Sequence, residues 1–149
     1  MERKGTWLNA SSIDPVLSLA ECMIPWYVPD FPSRPRFPVT CLKGEVFDVA
    51  IDLRRTSPTF LRWHAVHLGA DNHRTLAIPE GFAHGFQTLT DNCELIYLHT
   101  AAYHPEAEAG LNALDPRIAI NWPRPVSEIS VRDRQHALLD DGYTGIRVT

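Results

Sequence analysis

The segment 45–53 restricts the fold of this chain more than any other, because its side chains alternate with a period of two. Two interleaved sets make up the segment: Phe47, Val49, Ile51 and Leu53 in one, and Val46, Asp48, Ala50 and Asp52 in the other. Successive side chains of a β-strand point to opposite faces, whereas those of a helix repeat every 3.6 residues. The segment therefore predicts a strand.

Further short segments of strand type follow, separated by turn residues: 39–42, 59–68, 74–78, 85–89, 93–100 and 117–121. Lys43 and Gly44 predict a hairpin before 45–53, and residues 90–92 predict a second one before 93–100. Residues 130–139 read as a helix that begins at a Ser130 cap. Many short strands at regular spacing are typical of a β-sandwich or barrel, so we expect an all-β fold with a short C-terminal helix.

The first 38 residues differ from the rest, because they contain six of the twelve prolines. Pro32, Pro35 and Pro38 stand at every third position, and each removes a hydrogen-bond donor from a strand. We therefore expect that this stretch forms no central strand. The expected organisation is a proline-rich, atypical N-terminal segment, 1–38, followed by one β domain, 39–149.

Composition excludes several classes of protein. The length of 149 residues suits a single domain, and the net charge of −4 lacks the basic character of a nucleic-acid-binding protein. We see no apolar run of about 18 residues and no signal peptide, so we expect no membrane partner. Cys22, Cys41 and Cys93 show no C-x-x-C spacing and predict reduced thiols in a cytoplasmic protein.

The seven histidines are the natural starting point in a search for a site. His64 and His67 lie three residues apart on a predicted strand, so they point to opposite faces and cannot both bind one metal ion. The ligand spacing of metal-binding cupin barrels, H-x-H followed by Glu and a later His, is also absent. We expect one of the pair inside a barrel, the other at the surface, and no metal.

Three other polar residues have both a chemical and a structural interpretation. His84 has small neighbours in the segment IPEGFAHGF and either serves a ligand, as donor or proton carrier, or caps its own loop. Tyr103 follows a predicted strand and either acts as a general acid or plugs the end of the barrel. Asp133 lies near the start of the predicted helix, where an acidic residue stabilises the helix dipole. Arg132 beside it reads as surface charge.

Taken in order, these segments resemble the dTDP-4-dehydrorhamnose 3,5-epimerase family over about residues 39–139. The resemblance is carried by KGEVFDVAIDLR (43–54), SPTF (57–60), IPEGFAHGF (78–86), the stretch 97–106, DP (115–116), INWP (120–123) and SVRDR (130–134). It implies a cupin-type double-stranded β-helix, a jelly-roll barrel that is usually a homodimer. It also implies epimerisation of C3 and C5 of a dTDP-linked 4-keto-6-deoxy sugar, without a metal or redox cofactor.

The resemblance also implies roles for individual residues. Tyr103 falls at the position of the family's catalytic acid, and Asp133 at that of the aspartate that holds the catalytic base, a histidine. His84 matches a histidine that lines the substrate pocket. Arg132 stands where the family often has a lysine near the nucleotide.

The sequence departs from the family before residue 39. The R-G-x-H motif that carries the base is absent from residues 1–38, and no histidine precedes His64. Loss of a base costs about 10²–10⁴-fold in rate. Three interpretations follow: an impaired epimerase with a replaced segment, a non-catalytic protein that binds a nucleotide sugar or a partner subunit, or an enzyme in which His64 substitutes for the base.

Overall fold

A computed structural model of the chain describes residues 6–10, 36–98, 110–127 and 129–148. The strands of this part are β1 (Thr6–Ala10), β2 (Arg36–Lys43), β3 (Glu45–Asp52), β4 (Trp63–Gly69), β5 (Thr75–Pro79), β6 (Phe82–Thr88) and β7 (Cys93–Tyr97). One helix, α1 (Val131–Arg134), follows them. No helix within these ranges is both long and apolar enough to cross a membrane.

The strands form two antiparallel sheets, which confirms the expected all-β fold. A four-stranded sheet has the order β1-β7-β2-β5, and a three-stranded sheet has the order β4-β3-β6. β3 is the central strand of the smaller sheet, and its Ala50 lies opposite His64 of β4 on one side and His84 of β6 on the other. Those three residues therefore share one face of that sheet.

Both predicted hairpins are wrong, because the turns join strands of different sheets. β2 and β3 flank Gly44 but belong to the larger and the smaller sheet, and the same is true of β6 and β7 around residues 90–92. Gly44 has φ = 75°, and a Cβ atom there would lie 2.6 Å from the Thr90 hydroxyl oxygen. The glycine is thus needed at a crowded corner where the chain crosses the sandwich.

Pro38 corrects the expectation that the proline-rich stretch cannot enter a central strand. β2 begins at Arg36 and lies between β7 and β5. Pro38 faces Ala77 of β5, while its carbonyl accepts a hydrogen bond of 3.2 Å from Leu98 N, just past the end of β7. The N and C=O of one strand residue point to the same side, so an N–H at Pro38 would point past the end of β7. Its absence therefore removes no hydrogen bond between β2 and β7.

Two further elements differ from expectation in extent. Residues 117–121 form a turn rather than a strand, with Ile118 N and Ala119 N both donating to Asp115 O. The predicted helix 130–139 is confirmed only in its first turn, since α1 ends at Arg134. The Ser130 cap is confirmed, because Asp133 N donates to the Ser130 hydroxyl oxygen at 3.0 Å.

Two apolar cores pack against opposite faces of β3. Val46 and Ala50 face the larger sheet, in a cluster with buried residues of that sheet such as Leu95. Val49 and Ile51 face the opposite way and pack under the segment that follows residue 110. Because both faces are covered, almost every residue of β3 is buried, and any polar side chain on it is held in the interior.

Candidate active site

A buried ion pair lies between the two sheets. His84 Nε2 and Asp48 Oδ1 are 2.8 Å apart, and both side chains are completely buried. Asp48 is the diagonal neighbour of His84, because it pairs directly with Phe86, two residues along β6. The structure therefore places His84 in the interior, where the Asp48 carboxylate holds one of its ring nitrogens.

Tyr97 extends this polar cluster from the facing sheet. Its ring packs edge-on against the His84 ring, with centroids 5.6 Å apart. Burial and the nearby charge of Asp48 raise the pKa of Tyr97 far above its ordinary value, so the hydroxyl stays protonated. Among the described residues, neither the Tyr97 hydroxyl nor Asp48 Oδ2 has a hydrogen-bond partner. Buried oxygens without partners are uncommon in folded proteins.

His64 and His67 point to opposite faces of the smaller sheet, as the sequence predicts. His64 shares the inner face with His84, about 10 Å away across two strand spacings, but it is exposed because β4 lies at an edge of that sheet. Since His67 is exposed as well, the expectation that one of the pair lies inside a barrel is wrong. His67 lies on the outer face and contacts Glu45 at 2.8 Å. In the described ranges, no group of three or more metal-ligating side chains occurs.

Asp133 is a buried carboxylate at the first turn of α1. It is only 4% exposed. Its Oδ2 accepts a hydrogen bond of 2.7 Å from the Ser130 hydroxyl, and its backbone N–H donates to the hydroxyl oxygen of Ser130. Its other oxygen, Oδ1, lies 4.0 Å from His136 Nε2. The carboxylate predicted to hold a base is therefore fixed by its own helix cap and has an imidazole beside it.

Two predicted residues remain without a described side chain. Tyr103 lies outside the described residues, in the stretch 99–109. Arg132 lies on α1 directly before Asp133, but its side chain is not among those described. Their roles in a site therefore remain predictions.

A network around Asp52 stabilises the loop that follows β3. Asp52 is 1% exposed and accepts hydrogen bonds from the side chains of Arg54, Ser57 and Thr59 at 2.5–2.9 Å. Burial alone would raise the pKa of Asp52, but the donors outweigh burial and hold that pKa well below its ordinary range. The network closes the loop between β3 and β4.

A cavity of about 530 Å³ opens at the start of β4. Its lining includes Arg62, Trp63, Arg117 and Asn121. Neither His84 nor Asp48 is among the described residues that line it, so it is separate from their buried contact.

Asp48 and His136 are the two chemically relevant residues that the sequence reasoning missed. Asp48 was recognised only as one member of an alternating strand, although a carboxylate within an apolar strand is itself a signal of a buried partner. His136 follows Asp133 by three residues, a spacing that places two side chains on one side of a helical turn.

A family model and a curated relative match this chain under the same description. A family model described as dTDP-4-dehydrorhamnose 3,5-epimerase matches residues 33–141. The dTDP-4-dehydrorhamnose 3,5-epimerase of Salmonella typhimurium is 48% identical over 103 residues, which are 68% of this chain and 56% of the relative.

Two solved structures show the same similarity in three dimensions. The Legionella pneumophila dTDP-6-deoxy-D-glucose-3,5-epimerase, in complex with dTDP-4-keto-L-rhamnose, has a TM-score of 0.79 and 34% identity, over 98% of this chain and 74% of that one. The 3′-monoepimerase of Streptomyces bikiniensis, in complex with dTDP-quinovose, has a TM-score of 0.75 and 29% identity, over 91% of this chain and 65% of that one. The chain spans about half the length of the curated relatives it matches.

Proposed function

The chain belongs to the dTDP-4-dehydrorhamnose 3,5-epimerase family, and on that premise we propose that it epimerises a dTDP-linked 4-keto-6-deoxy sugar. The proposed substrate is dTDP-4-keto-6-deoxyglucose and the product dTDP-4-keto-rhamnose, within the synthesis of dTDP-rhamnose or a related deoxysugar for polysaccharides. The names of the relatives, all of them epimerases, favour a catalytic protein over a non-catalytic binding module.

One structural observation supports this proposal most directly: the ion pair of Asp48 and His84 lies inside an otherwise apolar sandwich. Burying a carboxylate and an imidazole costs desolvation free energy that a well-packed apolar core would avoid. Buried titratable groups of this kind are found preferentially at functional sites. The unpartnered oxygens of Asp48 and Tyr97 offer the same interior two further contacts for a sugar.

The proposed reaction follows from the acidity of hydrogens next to a ketone. A base removes the proton from C3 or C5, and the electrons of the C–H bond move to the carbonyl oxygen at C4, which becomes an enolate. An acid then returns a proton to the same carbon from the opposite face, so atoms and electrons balance without a cofactor. Groups that hydrogen-bond the C4 oxygen stabilise the enolate more than the ketone.

We assign the roles as follows. Tyr103 is the acid, Asp133 orients the base, His84 lines the substrate pocket, and Arg132 lies near the nucleotide. His64 is one candidate for the base, because it is exposed and shares the inner face with His84. Within the described ranges no carboxylate is recorded beside His64.

The assembly and location are part of the same proposal. We expect a homodimer, as the family resemblance implies, and a sedimentation experiment that gives a monomer at tens of micromolar would contradict it. We place the protein in the cytoplasm, since Cys41 and Cys93 are free, buried thiols.

The experiment that tests the function is proton NMR of dTDP-4-keto-6-deoxyglucose with the protein in D₂O. Enzyme-dependent loss of the C3 or C5 proton signal is the expected result, and it reports deprotonation even where epimerisation does not finish. His84→Gln should slow this loss, whereas His67→Gln should not, because His67 has its carboxylate partner on the outer face. A folded wild-type protein that leaves both signals intact would refute the function.

A further inference from the structure

We propose that the cavity of about 530 Å³ at the start of β4 is a second binding site, for a small phosphate ester that carries a planar ring, such as a nucleotide. Its volume lies in the range of about 300–1,000 Å³ that is usual for small-molecule sites. This site goes beyond the proposed epimerisation and does not depend on it, because it lies apart from the interior in which the sugar is proposed to bind.

The cavity and the buried contact of Asp48 and His84 lie on opposite faces of the smaller sheet. Trp63, which lines the cavity, pairs with Ile51 of β3. His84 pairs with Ala50, which precedes Ile51, and successive residues of a strand point to opposite faces. A ligand in the cavity is therefore separated from the buried contact by the sheet itself.

The lining of the cavity is positively charged. Arg62 and Arg117 supply two guanidinium groups, and none of the eight described residues that line the cavity is acidic. Within the described part of the chain, neither guanidinium forms an ion pair. Arg117 Nη1 donates to the Asp140 carbonyl oxygen, but a guanidinium has further N–H donors for a ligand. Two such groups suit the nearly dianionic phosphate of a monoester better than a single carboxylate.

Aromatic and apolar side chains form the rest of the lining. Trp63 and Phe60 are both partly exposed, and Ile118 adds an aliphatic surface. A planar ring gains both apolar contact and a preferred geometry when it packs on an aromatic side chain. The side-chain amide of Asn121 offers both a donor and an acceptor to such a ring. These residues account for the planar ring that we assign to the ligand.

Each of the two arginines is carried by a turn that a buried aspartate holds in place. Asp52 and Asp115 are both 1% exposed. Leu61 N donates to the Asp52 carbonyl oxygen at 2.8 Å, and Asp52 N donates to the Arg62 carbonyl oxygen at 3.0 Å. On the other side of the cavity, Arg117 N donates to Asp115 Oδ1 at 2.8 Å. Both turns are thus ordered before a ligand arrives, which reduces the entropy cost of binding.

The same two turns contain residues with a left-handed backbone. Leu61 has φ = 60° and Ala119 has φ = 50°, and both line the cavity. The other non-glycine residues of the described part with positive φ are His73 and Asn92, which are of types that adopt this region more readily. Strained backbone of this kind concentrates at functional sites. Its presence on both sides of one cavity supports a binding site.

The test measures the binding of phenyl phosphate by isothermal titration calorimetry, because this probe has a ring and a phosphate but neither thymine nor sugar. The wild type should bind it, and Arg62→Gln and Arg117→Gln should each weaken binding by about tenfold or more. Both arginines are exposed, so their substitution should not disturb the fold. Arg74→Gln is the matched control, since Arg74 is an exposed arginine outside the cavity and should leave the affinity unchanged.

The possible outcomes separate the site, its ligand and the proposed epimerisation. Equal affinity in the wild type and both glutamine variants, or no binding at about 10 mM probe, would overturn the site. Inorganic phosphate that binds as tightly as phenyl phosphate would overturn the assigned ring. Proton washout from the keto sugar in D₂O should be the same in Arg62→Gln and Arg117→Gln as in the wild type. Loss of washout in these variants would make the cavity part of the sugar site and overturn its separate role.

Discussion

Asp48 on β3 and His84 on β6 are joined by a 2.8 Å contact at a position where neither side chain touches solvent. Their strands are adjacent, but the two residues are diagonal neighbours, because His84 lies directly opposite Ala50. The small side chain of Ala50 leaves the imidazole room to reach across to the carboxylate. Each partner depends on the other, since a buried charge without its partner is strongly unfavourable.

Asp48→Ala is therefore expected to lower the free energy of unfolding by about 3–5 kcal/mol, as measured by urea denaturation. The variant leaves His84 buried without its carboxylate. Glu45→Ala is the matched control, because it removes a 2.8 Å contact to His67 at the surface and should cost about 0–1 kcal/mol. Equal losses of unfolding free energy in the two variants would show that the buried contact of Asp48 stabilises the fold no more than the surface contact of Glu45.

The lowered pKa of Asp52 predicts how the free energy of unfolding depends on pH. Hydrogen bonds from Arg54, Ser57 and Thr59 lower its pKa in the folded protein, so below about pH 5 the unfolded chain binds more protons than the folded one. The stabilisation from Asp52 is therefore complete at neutral pH and is lost as the pH falls. Asp52→Asn should lower the unfolding free energy by about 1.5–3 kcal/mol at pH 7.

The same variant should differ less from the wild type in acid. Urea denaturation at pH 7, 5 and 3.5 measures the difference, which should shrink as the Asp52 carboxylate of the unfolded wild-type chain takes up its proton. Asp91→Asn, at an exposed carboxylate in the turn before β7, is the control and should change stability little at any pH. A difference that stays constant across this range would contradict the assigned cause.

The sequence predicted the strands better than their partners. The alternation in 45–53 is a local property, and it located β3 almost to the residue. Gly44 and Asn92 both adopt a left-handed backbone, which serves a hairpin and a corner between sheets equally well. Only the packing of the two cores decides between these alternatives, and that information is spread over the whole chain.

The same limit applies to the candidate site. The family resemblance selected His84 and Asp133, and the structure places both as buried polar groups. It did not select Asp48, because the contact with His84 depends on the register of β3 against β6. His136 was overlooked because its position beside Asp133 depends on the turn that follows the short helix.

Tyr103→Phe should abolish most of the proton return in the proposed reaction. The variant keeps the ring but removes the hydroxyl, and the loss of a general acid costs about 10²–10⁴-fold in turnover. Tyr143→Phe is the matched control, since that ring stacks on Phe60 at the far side of the loop after β3 and has no proposed role. Turnover that is unchanged in Tyr103→Phe would mean that the acid has been misplaced.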